Sequence, residues 1–113
     1  MGTIYEVYCS AKDADPWFTV TVESTGNGVT VFDHSLGVSC ERWFGKDEIE
    51  SWASVNDTDA ATMLRSVGGE PGKYPADRLA LYLAETLDGN PGAKAEFAAI
   101  AERAGVKVNS FVW

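Results

Sequence analysis

Few side chains in this sequence are of a type that could act in catalysis, and the single histidine of the chain is one of them. Asp33 and His34 are adjacent, and Cys40 follows soon after. A thiol nucleophile, an imidazole base and an orienting carboxylate are the parts of a nucleophilic site. Because neighbouring residues of a strand point to opposite faces, we expect that Asp33 does not orient His34. The sequence therefore predicts no catalytic residue and a protein that is not an enzyme.

Metal and phosphate motifs are present only in fragments. Cys9, His34 and Cys40 lack the paired spacing of a zinc site. Residues 57–59, DTD, begin like a calcium loop, but the glycine and the final glutamate of that loop are missing. Residues 68–73, GGEPGK, lack the first glycine and the final hydroxyl of a phosphate loop, and a proline removes one N–H donor. The sequence indicates no metal site and no cofactor.

A run of carboxylates in the middle of the chain carries the main functional hypothesis. Six acidic residues occur within nineteen positions that hold only two basic ones, and the whole chain has a net charge of −8. Carboxylates on one surface could imitate a phosphate array, although helix capping and a solvated face would also explain them. Tryptophan is enriched in binding hot spots. The predicted partner-binding residues are Glu41, Trp43, Asp47, Glu48, Glu50, Asp57 and Asp59.

The acidic balance also restricts the class of partner. It argues against direct binding to nucleic acid or to an anionic membrane, and it favours a basic protein surface such as that of a nucleic-acid-binding protein. No apolar run reaches the roughly 18 residues of a membrane span, and the first residues lack a signal-peptide pattern. We expect a cytoplasmic protein whose two cysteines, Cys9 and Cys40, are buried and free.

The predicted function is therefore a small, acidic, non-enzymatic inhibitor that occupies a basic surface of a partner protein. As a small acidic domain, it is similar to bacterial immunity proteins and to phage anti-defence inhibitors such as anti-CRISPR proteins. That likeness is one of size and charge, and no motif carries it. The alternative is a small-molecule-binding module, or a small enzyme, with a pocket between sheet and helices near His34 and Cys40.

The element that must position these residues is a β-hairpin in residues 17–35. Two runs of alternating apolar and polar residues flank the turn sequence Gly-Asn-Gly, which tolerates the backbone angles of a tight hairpin. The favoured register pairs Val22 with Val31. It also sets Asp33 opposite Val20, which is tolerable only near a rim of the sheet. A three-residue loop would shift this pairing by one position.

The remaining pattern predicts an α+β fold in one domain, residues 1–113, with a β-rich part (1–44), a helical part (45–105) and a C-terminal strand (106–113). We expect a small antiparallel or mixed sheet of four to five strands with three to four helices packed on one face. Alanines on the last two helices predict that these two pack closely together. The other predicted strands are Thr3–Ser10, placed centrally, and Val38–Phe44; the predicted helices are Asp47–Val55, Asp59–Val67, Pro75–Asp88 and Pro91–Ala104.

Overall fold

Five strands form one antiparallel sheet in which neighbours along the chain are also neighbours in the sheet. The computed structural model describes residues 2–11, 13–15, 17–37, 42, 45 and 48–112, without the side chain of residue 111. Together with three helices among these residues, the sheet confirms the α+β class. The elements are β1 Thr3–Cys9, β2 Trp17–Thr25, β3 Gly28–Leu36, β4 Glu48–Asn56, α1 Asp57–Ser66, α2 Pro75–Thr86, α3 Ala93–Arg103 and β5 Asn109–Val112.

The hairpin between β2 and β3 has the predicted register. Val22 pairs with Val31, and Val20 pairs with Asp33. The Thr25 hydroxyl accepts hydrogen bonds from the backbone N–H groups of residues 27 and 28, each at 3.1 Å, and so closes the turn. A Cβ at Gly28 would collide with the carbonyl oxygen of Val55, so only glycine lets β3 approach β4 at this end.

One face of the sheet builds the hydrophobic core with the three helices. Val20, Val22, Val29 and Val31 have no solvent exposure. Because side chains alternate between the faces of a strand, these four residues lie on the same side of the hairpin. The helices cover this side with their own fully buried side chains, of which the largest are Met63, Leu79, Leu83 and Phe97.

The prediction of a helix over Asp47–Val55 is wrong, because residues 48–56 form strand β4. Ile49, Trp52 and Ala53 fit one stripe of a helix, but alternating residues of the same segment also fit a strand. Pairing decides between the two, since β4 lies between β3 and β5 and bonds to both. Of the helices whose bounds the structure describes, the first therefore begins at Asp57. Of the predicted strand Val38–Phe44 the structure describes residue 42 alone, and the backbone there is helical rather than extended.

Strand β1 lies at an edge of the sheet, not at its centre as predicted. A β-bulge interrupts its pairing with β2 between Glu6 and Tyr8. The extra residue changes the alternation, so that Tyr8 pairs with Val20 on the core side while Cys9 is exposed. Cys9 is free, as expected, but it is not buried; Cys40 is not among the described residues.

The closest helix pair is α1 with α2, not α2 with α3 as the alanine pattern predicted. The chain leaving α2 buries Leu87, and the N–H of Gly89 then donates to the carbonyl of Val7 at 2.6 Å. This link passes along the edge of the sheet and sets α3 apart from α2. The predicted final strand does rejoin the sheet, as β5 beside β4.

The junction between β4 and α1 yields a stability prediction. The side chain of Asn56 accepts a hydrogen bond from the N–H of Asp59 at 2.8 Å and caps the helix. Asn56→Ala should lower the free energy of unfolding by about 1 kcal/mol, as the loss of such a cap usually does. Urea unfolding measures it. Asn109→Ala, at an exposed position of β5, should change stability by less than about 0.5 kcal/mol. Equal effects of the two substitutions would contradict the capping role.

Candidate functional site

The candidate site is the face of the sheet that points away from the helices, which we call the outer face. On β3 it carries Phe32 and His34, which alternate with the core-facing residues of that strand. On β4 the same alternation and the cross-strand pairing place Glu48, Glu50 and Trp52 there. The outer face thus combines aromatic rings with carboxylates.

Four rings form a continuous row across three strands of the outer face. The rings of Trp17 and His34 meet edge to face with their centroids 6.1 Å apart. His34 lies 5.9 Å from Phe32, and Phe32 lies 5.1 Å from Trp52, its direct partner on β4. These separations are typical of favourable ring contacts. All four side chains are half-buried, so the row is held in place and still reaches solvent.

His34 joins the aromatic row to the acidic residues of β4. Its Nε2 lies 2.7 Å from Oε1 of Glu48, a hydrogen-bonding distance, and Glu50 is its direct cross-strand partner. Among the described residues, these three are the set whose donor atoms come close enough to hold a divalent ion, within 4.8 Å of one another. Their geometry fits a hydrogen-bonded cluster equally well, since an ion would have to replace the short bond between His34 and Glu48.

The predicted partner-binding carboxylates do not share one surface. Glu48 and Glu50 lie at one end of β4, whereas Asp57 and Asp59 follow its other end, roughly 25 Å away by the rise of a strand. Asp57 has a structural task there, because its carboxylate accepts the N–H of Ala76 at the start of α2 at 3.1 Å. The other three predicted residues, Glu41, Trp43 and Asp47, fall in segments that the structure does not describe.

Trp17, Phe32 and Trp52 were not among the predicted partner-binding residues, and Trp52 was also assigned to the wrong secondary structure. The helical interpretation of its segment placed it on a buried stripe, and the structure places it half-buried on the outer face. The signal was present as alternation, because Ser51, Ala53 and Val55 are buried while Trp52 and Ser54 between them are not. Read with a period of two, the segment would have put Trp52 beside Glu50 and Glu48.

A second polar group lies on the face of the sheet that the helices cover, where Asp33 is surrounded by apolar residues. Nζ of Lys94 on α3 lies 3.7 Å from Oδ2 of Asp33 and donates to Oγ of Ser51 at 2.7 Å. Oδ1 of Asp33 is buried without a hydrogen-bond partner. Burial raises the pKa of Asp33, and the attraction of Lys94 offsets part of that rise. This group ties α3 to the sheet and is therefore a structural contact.

The geometry separates the residues of the alternative site near His34. Asp33 faces the helices and His34 faces away from them, as expected for neighbours on one strand. His34 therefore does not line a space between sheet and helices, and Cys40 is outside the described ranges. The alternative of a small-molecule-binding module or small enzyme near His34 and Cys40 stays a prediction.

Comparison of the chain with protein-family models, curated proteins and solved structures gives no match. In the part of the chain that the structure describes, no helix has the length and the apolar character needed to cross a bilayer.

Asp33 yields a prediction on pH dependence. Its pKa is raised in the folded state, so the unfolded chain loses this proton first as the pH rises above the usual value of 3.8. Ionisation of Asp33 thus favours the unfolded chain. As the pH rises from 3.8 past the raised pKa of Asp33, the free energy of unfolding of the wild type should fall relative to that of Asp33→Asn. Urea unfolding of both proteins, well below pH 3.8 and near neutral pH, measures the difference.

Lys94→Met serves as the second variant. Removal of the cation should raise the pKa of Asp33 further, so this variant should lose more stability than the wild type over the same rise in pH. If the stability difference between Asp33→Asn and the wild type does not change with pH, burial of Asp33 is not penalising its charge.

Proposed function

We propose that this protein is a non-enzymatic inhibitor that docks its outer face onto a basic surface of a partner protein. The observation that carries the proposal is the row Trp17, His34, Phe32 and Trp52 with Glu48 and Glu50 at its flank. Glu41, Trp43 and Asp47 stay partner-binding residues predicted from the sequence. Asp57 and Asp59 do not belong to the proposed surface, because they lie beyond the other end of β4.

The aromatic row supplies the apolar part of such an interface. Large aromatic side chains at the centre of an interface carry a disproportionate share of binding energy. Here the rings are already fixed by contacts with one another and by the pairing of three strands. Little side-chain entropy remains to be lost when a partner covers them, which favours affinity.

The charge of the sheet supplies the electrostatic part. None of the five strands contains a lysine or an arginine, whereas β1, β2 and β4 present Glu6, Glu23, Glu48 and Glu50 toward the outer face. A field of one sign speeds association with a basic partner and makes it sensitive to salt. Repulsion from phosphates disfavours direct contact of this face with nucleic acid.

Inhibition follows from competition for the basic surface. A protein that binds nucleic acid presents Lys and Arg side chains to phosphates, and carboxylates can pair with the same side chains. An inhibitor of this class needs no catalytic group, in keeping with a site built of rings and carboxylates. Its activity would be the loss of nucleic-acid binding by the partner in proportion to the bound fraction.

The first test of this proposal reverses the charge of the outer face. Two double variants each change the net charge from −8 to −4. The test variant is Glu48→Lys/Glu50→Lys, on the sheet, and the control is Glu70→Lys/Glu102→Lys, outside the sheet. Immobilised wild type should retain basic proteins from a lysate of the source cells at low salt and release them at high salt. The β4 variant should bind at least about tenfold more weakly, because like charges then meet.

The control should retain the same proteins as the wild type, and urea unfolding should show that both variants are folded. Equal loss in both variants would mean that net charge alone drives retention. Retention by the β4 variant at wild-type affinity would remove Glu48 and Glu50 from the interface.

The second test removes one ring. Trp17 is half-buried at the end of the aromatic row, with His34 as its ring contact. Trp17→Ala should weaken binding by about 2 kcal/mol if this ring is a hot spot, and the loss should persist at high ionic strength because it is apolar. Titration of the captured partner at two salt concentrations measures it. A loss that disappears at high salt would contradict an apolar contact.

A further inference from the structure

The free edge of β1 is a second surface with the features of a binding site, distinct from the aromatic row with Glu48 and Glu50. Among the strands that the structure describes, β1 bonds to β2 on one side and to none on the other. An edge strand leaves alternate backbone N–H and C=O groups unpaired, which makes it a template for another strand. Among the described residues, the link after α2 covers this edge at one point, where Gly89 donates to Val7. The stretch Thr3–Glu6 is therefore open.

A groove of about 630 Å³ follows this open stretch between β1 and α2. Its apolar walls are Ile4, which is 65% exposed, and Leu81, which is 47% exposed. They are two of the four large apolar side chains that are exposed in the described part of the chain. Ile4 belongs to the sheet and Leu81 to the helix, so the groove presents apolar surface on both sides of the strand edge.

The polar rim of the groove is acidic. Glu6, Glu85 and Asp88 line it, all exposed, and no basic residue is among its lining residues. The nearest cation along α2, Arg78, donates instead to the carbonyl of Glu70 at 3.2 Å. The groove therefore favours a positively charged occupant.

We propose that an extended segment of a basic partner protein adds to the edge of β1 as a further strand. Successive side chains of a strand point to opposite faces, so one set would meet Ile4 and Glu6 and the other set Leu81 and Glu85. Each set meets one apolar and one acidic residue. The occupant is thus an extended segment that mixes apolar residues with Lys or Arg on both of its faces.

A second copy of this chain does not fit the same edge. Two β1 strands side by side would bring two sets of Glu6, Glu85 and Asp88 together, and like charges directly opposite one another destabilise a strand pair. The bulge between Glu6 and Tyr8 also limits the length over which two such edges could pair. The charge pattern therefore selects a basic segment over self-association.

Peptide titration followed by backbone amide NMR of the whole protein tests this proposal. The probe is a synthetic peptide of lysine–lysine–valine–valine repeats, long enough to span β1, so that both of its faces carry both residue types. Shift changes should be confined to residues 3–9 and 81–89, with slower amide exchange along the open edge of β1. A peptide with glutamate in place of lysine should not bind.

Glu6→Lys/Glu85→Lys should weaken peptide binding at least about tenfold, because two attractive contacts become repulsive. Glu70→Lys/Glu102→Lys, with the same change of charge outside the groove, should bind as the wild type does. Glu48→Lys/Glu50→Lys should also bind the peptide, which distinguishes failure of this proposal from failure of the outer-face function. Absence of binding, shift changes centred elsewhere, equal weakening by the control pair, or a β1-mediated dimer of the protein alone would overturn the proposal.

Discussion

The pairing of Val22 with Val31 at the centre of the sheet determines which side chains every strand turns toward the helices. The same row continues to Tyr5 on one side and to Ala53 and Ser110 on the other, so one register relation runs through all five strands. A slip of one residue would move the buried valines to solvent and the outer-face carboxylates into the core. Burial of the valines therefore positions the acidic and aromatic face as directly as it forms the core.

The same register has one unfavourable consequence, the placement of Asp33 on the core side. A carboxylate there loses hydration, which is why its pKa rises. Lys94 from α3 forms an ion pair with it between the helix and the sheet. The charge is thereby used to orient α3, since Lys94 also bonds to Ser51. His34 follows Asp33 in the chain and for that reason points outward. The inward aspartate and the outward histidine are two results of one alternation.

Local patterns predicted those parts of the fold that local physics decides. The hairpin register follows from the turn residues and from the burial of valine, and α1 and α2 follow from apolar stripes that end near Gly68 and Gly89, both with a positive φ. Strand β4 could not be assigned in this way, because its residues fit both periods and its state depends on pairing with β3 and with β5, of which β5 is distant in sequence. The position of β1 at an edge likewise depends on how the whole sheet is ordered.

The candidate site was predictable only in part, because it also depends on how the strands pair. The acidic run directed attention to Glu48 and Glu50, but a helix would have placed them on a different surface from the strand that forms. The aromatic row joins residues from β2, β3 and β4, so it exists only once the sheet has paired. Proximity along the chain grouped Asp57 with Glu48, whereas the length of β4 separates them.

The distribution of charge between sheet and helices suggests how such a protein remains selective. Proteins often protect free strand edges with lysine, yet the five strands here contain neither lysine nor arginine. At the edge formed by β1, Glu6 repels the same residue of a second copy as effectively as a lysine would, so that edge keeps its protection against self-pairing. A basic strand or a basic surface is attracted by the same charge, so under our proposals one sign of charge would both disfavour a second copy and favour a cationic partner.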